Sequence, residues 1–124
     1  MVLESSRNLG YRAADAIQSK KGLDISLLDV EKQFVLSDIF VIATGTSRPH
    51  VQALAEGVED RFREDLDLKP LRSEGRSEGE WILLDFGDII VHLFQEKQRE
   101  YYGLERLWAD ATKLDWTEPV STDG

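Results

Sequence analysis

Three places in the sequence gather side chains that could do chemistry. Gly45-Thr46-Ser47 precedes an amphipathic segment and would present backbone N–H groups to an anion, as helix N-termini do. No lysine stands beside it in the phosphate-loop pattern, so a plain helix cap is the stronger reading. Asp85 and Asp88 could share a divalent cation, but three residues apart across a turn they converge poorly on one point. His50 and His92 are the only histidines, and no H-x-H or H-x-x-x-H pair exists to chelate a metal. The triplet Asp85-Phe86-Gly87 matches a kinase signature. The chain is far too short for a kinase, however, and has neither a glycine-rich phosphate loop nor a catalytic-loop sequence. Cysteine is absent, which removes thiolate nucleophiles, disulfides and cysteine-based metal sites. The expectation is a protein with no catalytic residue, no metal and no cofactor.

Composition narrows the partners. With 15 basic against 24 acidic residues the net charge is -9, which disfavours tight nucleic-acid binding, since that affinity comes from Lys and Arg neutralising phosphates. A basic protein surface suits this charge better. No apolar run approaches the ~20 residues needed to cross a bilayer, and the N-terminal segment lacks the apolar stretch of a signal peptide. No membrane partner is expected, and the cytoplasm or an organelle matrix is the expected location. At 124 residues the chain has room for one domain with one core.

The elements that must position these residues follow from periodicity. Leu9, Ala13, Ala16 and Ile17 recur at helical spacing after Ser5 and Ser6, and the pattern stops at Lys20-Lys21-Gly22, predicting a serine-capped helix with a glycine C-cap. Leu23 to Val30 reads as a strand, and Glu31 to Gln33 as a polar connection. Ile39 to Thr44 is rich in β-branched residues and predicts a buried strand. Thr46 or Ser47 then caps a helix with Pro49 in its first turn, and Val51, Leu54, Ala55, Val58 and Phe62 line one side of it. Gly, Ser, Pro and charge dominate Asp67 to Glu80, which predicts a mobile surface loop with a short edge strand near Pro70 to Arg72. A last helix is expected over 97–111, with Tyr101, Leu104, Leu107 and Trp108 as its core stripe. A disordered tail is expected over 112–124.

The sharpest local prediction is a hairpin. "WILLDFGDIIVHLFQ" places two apolar runs about Gly87-Asp88. A two-residue turn there sets Phe86 opposite Ile89, Leu84 opposite Val91 and Ile82 opposite Leu93, an entirely apolar face that suits the core. Each of those side chains would contribute roughly 1.5 to 3 kcal/mol on burial, before entropy is subtracted. The other face pairs Asp85 with Ile90, Leu83 with His92 and Trp81 with Phe94. Large apolar rings with a few polar groups are what interface hot spots use, although a covering helix would account for the same pattern. Arg99, Tyr102 and Arg106 share a neighbouring face of the last helix and would extend such a patch.

The segments "SDIFVIATGTSRPHVQALAEGVED", "GEWILLDFGDIIVHLF" and "REYYGLERLWADA" closely resemble the ribosomal silencing factor family, also called the RsfS or Iojap family. The most specific part is W-x-L-L-D-[YF]-G-D-x-x-V-H followed by R-x-x-Y-x-L-E-x-L-W, and the match runs from about Leu9 to Ala111. The resemblance implies an α/β (α+β type) fold over 1–111, a single mixed sheet of about five strands flanked by helices, nucleotidyltransferase-like without the catalytic acids. It implies a translation repressor that binds the large ribosomal subunit through large-subunit ribosomal protein fourteen and blocks joining of the small subunit under nutrient limitation. By position it assigns Trp81, Leu83, Asp85, His92, Arg99 and Tyr102 to the partner interface, and the mixed hairpin face adds Phe94. The chain departs from the family pattern at Ile39 and Phe86, where tyrosine is usual, and at Pro49, where a basic residue is frequent. Two rival readings are a nucleotide-handling enzyme, built on Gly45-Thr46-Ser47 and the Asp85/Asp88 pair, and a module that forms a homodimer when free.

Overall fold

A computed structural model describes residues 4–34 and 36–116. The elements in chain order are α1 (Glu4–Ser19), β1 (Leu23–Asp29), β2 (Ile39–Gly45), α2 (Arg48–Leu66) and β3 (Arg72–Glu74). They continue with β4 (Trp81–Asp85), β5 (Ile89–Gln95), α3 (Glu96–Tyr102), α4 (Leu104–Leu107) and β6 (Thr112–Leu114). Six strands form one sheet in the order β3-β4-β5-β2-β1-β6. β2 and β5 run parallel at its centre while every other pair is antiparallel, so the sheet is mixed and the fold is α+β.

The hairpin has the predicted register: Trp81 faces Phe94, Ile82 faces Leu93, Leu83 faces His92, Leu84 faces Val91 and Asp85 faces Ile90. Gly87 takes φ +89, which an L side chain rarely adopts, and the Asp85 carboxylate accepts the Gly87 N–H at 2.8 Å. Turn chemistry and side-chain parity therefore agree. Under the predicted apolar face lie α1 and α2, and Ile82, Leu84, Ile89, Val91 and Leu93 are buried with Leu54, Val58 and Phe62. Helix α2 begins as expected, with the Ser47 hydroxyl accepting the His50 N–H at 3.2 Å and Pro49 in the first turn.

Several local details differ from or add to the expectation. Ser5 and Ser6 lie inside α1 and do not cap it; the Ser6 hydroxyl instead donates to Asp38 at 2.7 Å. At the other end Lys21 (φ +66), not Gly22, takes the left-handed position, with Lys21 N–H donating to the Gln18 carbonyl and Gly22 N–H to that of Ile17. Gly22 is needed for space, because a Cβ there would lie 2.2 Å from an Ile17 methyl.

The loop after α2 is fastened at several points. Its edge strand β3 pairs with β4, Arg76 pairs with Glu59, and Gln52 Nε2 donates to the Arg76 carbonyl at 2.8 Å. The single last helix is two short ones broken at Gly103 (φ +56), and Tyr101 and Leu107 are thereby turned out of the core to 79% and 73% exposure. Finally, Thr112–Leu114 is no tail: it pairs with Leu27–Asp29 as the sixth strand. The rest of the expected tail, from 117 onward, lies outside the described residues.

Candidate functional site

The face of the sheet away from α1 and α2 carries the predicted docking residues, and it is only partly covered. Leu28, Val30, Phe40, Ile42, Ile90 and Phe94 form its buried floor. Leu104 and Trp108 from the C-terminal corner and Phe34 from the β1–β2 connection pack over part of it. Phe34 meets the rings of Phe40 and Trp108 at 5.4 and 5.7 Å. Phe34 was assigned no role from sequence, because a single aromatic in a polar connection carries no periodicity.

Trp81 stands at the margin of this cover. It is half-buried, stacks on Phe94 at 4.9 Å, and lies 4.8 Å from the ring of Tyr102, which in turn meets Tyr101 at 5.1 Å. Its indole N–H donates to His92 Nδ1 at 3.2 Å, which puts the imidazole proton on Nε2. A buried aromatic therefore supports a row of three progressively more exposed ones. The tryptophan is held by stacking on one side and by a hydrogen bond on another, so little rotamer freedom remains to be lost on docking.

The seven candidate interface residues fall into different environments. Trp81, Leu83 and Asp85 are half-buried, and Tyr102 is 50% exposed. Phe94 is fully buried and His92 is 4% exposed, so both form the floor beneath the candidate docking residues and present almost no surface of their own. Burial pushes the His92 imidazole down to about 3, and its Nε2 has no hydrogen-bond partner. Asp85 divides its carboxylate between the Gly87 N–H and Arg72, at 2.8 and 3.3 Å, so it also fixes the hairpin turn.

Arg99 points inward. Its guanidinium donates to Glu105 at 3.0 Å, to the Asp24 carbonyl at 2.6 Å, to Thr44 Oγ1 at 2.8 Å and to Ser26 Oγ at 3.2 Å. Ser26 in turn donates to the second oxygen of Glu105 at 2.9 Å. Burial pushes the Glu105 carboxyl up, but the hydrogen bonds from Arg99 and Ser26 outweigh it and hold the group below the usual carboxylate range. Sequence reasoning missed Asp24, Ser26, Thr44 and Glu105 as members of this cluster. Residues as far apart as Ser26 and Glu105 leave no local signal of contact.

Among the candidate chemical groups, His50 and Asp85 are engaged in local structure. His50 accepts the Thr46 N–H on Nδ1 and its Nε2 donates to the Lys20 carbonyl, both at 2.9 Å, so the Gly45-Thr46-Ser47 turn is closed by its own helix. The Asp85 carboxylate is engaged as described, whereas Asp88 is exposed and it is its backbone carbonyl that accepts from Ser37 and Asp38. Among the described residues no group of three His, Cys, Asp or Glu side chains could hold a metal ion. The cleft at the carboxyl ends of β2 and β5 holds about 270 Å³, less than the ~300 to 1,000 Å³ of ordinary ligand sites. Among the described residues no helix is long and apolar enough to cross a membrane.

Fold and site together define a small α+β protein whose most distinctive surface is an aromatic row beside a sheet. The chain belongs to the ribosomal silencing factor family: the family model described as "Ribosomal silencing factor during starvation" matches residues 3–123. It is 40% identical over 103 residues to ribosomal silencing factor RsfS of Bacillus subtilis, covering 83% of this chain and 86% of that one. A crystal structure of a Chromobacterium violaceum protein superposes with a TM-score of 0.80 at 34% identity, covering 95% of this chain and 92% of the other. A mouse protein named for mitochondrial assembly of the ribosomal large subunit is 30% identical over 95 residues, covering 74% of this chain and 41% of the mouse protein.

Proposed function

We propose that this protein represses translation by binding the large ribosomal subunit through ribosomal protein fourteen of that subunit, and that it blocks joining of the small subunit sterically. The observation that carries the reading is the Trp81–Tyr102–Tyr101 row, supported from below by Phe94 and His92. Aromatic anchors preset by a buried floor are the usual energetic centre of a protein interface. Trp81, Leu83, Asp85 and Tyr102, with Tyr101 at the exposed end of the row, form the contact surface. His92 and Phe94 support it, and Arg99 acts from within the protein. The net charge of -9 suits a basic ribosomal protein as partner and would repel the RNA of an approaching small subunit. Membership of the silencing-factor family supports a ribosomal target, and the mouse relative named for assembly of the mitochondrial large subunit supports that subunit as the one bound.

Blocking of this kind needs no bond made or broken, and the protein works where ribosomes are, in the cytoplasm or an organelle matrix. Purified large and small subunits mixed with increasing amounts of the protein, and resolved by sedimentation, should show less joined ribosome as the protein saturates the large subunit. Joining that proceeds unaltered at saturation would refute the steric mechanism. The same patch could be occupied by a second copy in the absence of ribosomes, and sedimentation of the free protein over a concentration series measures that competition.

A further inference from the structure

We infer that Arg99 is a positioning residue, one that sets the C-terminal corner so that Tyr102 meets Trp81 in the docking geometry; this rests on the aromatic row being the docking surface. The guanidinium makes four hydrogen bonds that join α3 to three other elements: the Asp24 carbonyl and Ser26 of β1, Thr44 at the end of β2, and Glu105 of α4. Its backbone carbonyl also accepts the Gly103 N–H at 3.0 Å, closing the left-handed break between α3 and α4.

The acceptor side is equally specific. The register between β1 and β2 shifts between Leu23 and Ser26, and Asp24 there has φ +49; it is the carbonyl of this irregular residue that Arg99 takes. Ser26 and Thr44 are buried polar groups, 3% and 5% exposed, that Arg99 satisfies. One side chain thus couples the bulge, the end of the central strand and the αL corner. Tyr102 lies three residues along the same helix face, within 4.8 Å of Trp81.

A planar fork with several fixed donors does this, and a lysine cannot, because its single ammonium reaches one or two of these acceptors at a time. Arg106, by contrast, is exposed, and among the described residues its guanidinium donates to the Glu100 carbonyl in its own corner, at 3.3 Å.

The test is a double-mutant cycle read on affinity for ribosomal protein fourteen of the large subunit. The variants are Arg99→Ala, Glu105→Ala, the double variant, Arg99→Lys, and Trp81→Ala as reference, with amide hydrogen exchange of 99–108 measured on each. Arg99→Ala should weaken binding about tenfold or more, Glu105→Ala should weaken it too, and the double variant should bind about as poorly as Arg99→Ala alone. Exchange over the corner should quicken in all three, and Arg99→Lys should stay nearer to Ala than to the unaltered protein.

Several results would overturn the inference. One is loss with Arg99→Ala while Glu105→Ala binds normally and exchange is unchanged, which would mean direct contact with the partner. Full recovery with Arg99→Lys would mean that bare charge suffices. A lowered melting temperature with unchanged affinity of the folded protein would mean a purely structural role. If Trp81→Ala itself binds normally, the docking face is misassigned, a failure separate from that of the Arg99 inference.

Discussion

His92 should make the protein lose stability on acidification at a rate set by its own burial. In the unfolded chain the imidazole takes up a proton as pH falls through its ordinary value of 6.5, whereas in the folded protein it resists until about 3. Between those values the unfolded state binds the extra proton, so stability falls as pH falls, by up to about 1.4 kcal/mol per pH unit from this group. Above 6.5 both states are neutral at this site and the contribution is flat. Integrated from about pH 7 to about pH 4.5, the loss is roughly 2 to 3 kcal/mol. The perturbation is His92→Leu, which keeps an apolar side chain against Phe40 and Trp81 and removes the unpartnered Nε2. Urea unfolding across that pH range should show the variant's stability falling less steeply than the unaltered protein's by that amount. Parallel curves for the two proteins would refute the burial argument and imply an imidazole that titrates in water.

Floor and surface should separate under mutation. Phe94→Ala removes a fully buried ring and should cost about 3 to 5 kcal/mol of folding stability, measured by chemical denaturation; the half-buried Trp81 should cost distinctly less. Gly103→Ala forces a side chain into φ +56 and against the Arg106 guanidinium, so thermal unfolding should report a loss of about 1 to 2 kcal/mol.

The sequence carried the hairpin because two independent signals coincide there. Gly87 supplies the backbone conformation that the turn needs, and strict alternation fixes which side chains share a face. Helix α2 was legible for the same reason, with cap, proline and apolar period all in agreement. β6 was not, since three residues with little to bury become a strand only because β1 offers them an edge. The break in the last helix did have a signal, Gly103 between Tyr102 and Leu104, but the apolar spacing on either side reads as one continuous stripe. Turning Tyr101 and Leu107 outward enlarged the exposed apolar surface beyond what periodicity implied. Which docking candidates are surface and which are floor depends on how the C-terminal corner folds back over the sheet. That in turn depends on Arg99 contacts to residues far away in the chain.

The most direct test of the docking face is the affinity of Trp81→Ala for ribosomal protein fourteen of the large subunit, measured by titration with folding of the variant verified alongside. Loss of a central aromatic anchor predicts binding weaker by ~2 kcal/mol or more, a rise in Kd of about 30-fold. A folded variant that binds within about twofold of the unaltered protein, less than ~0.5 kcal/mol, would contradict it.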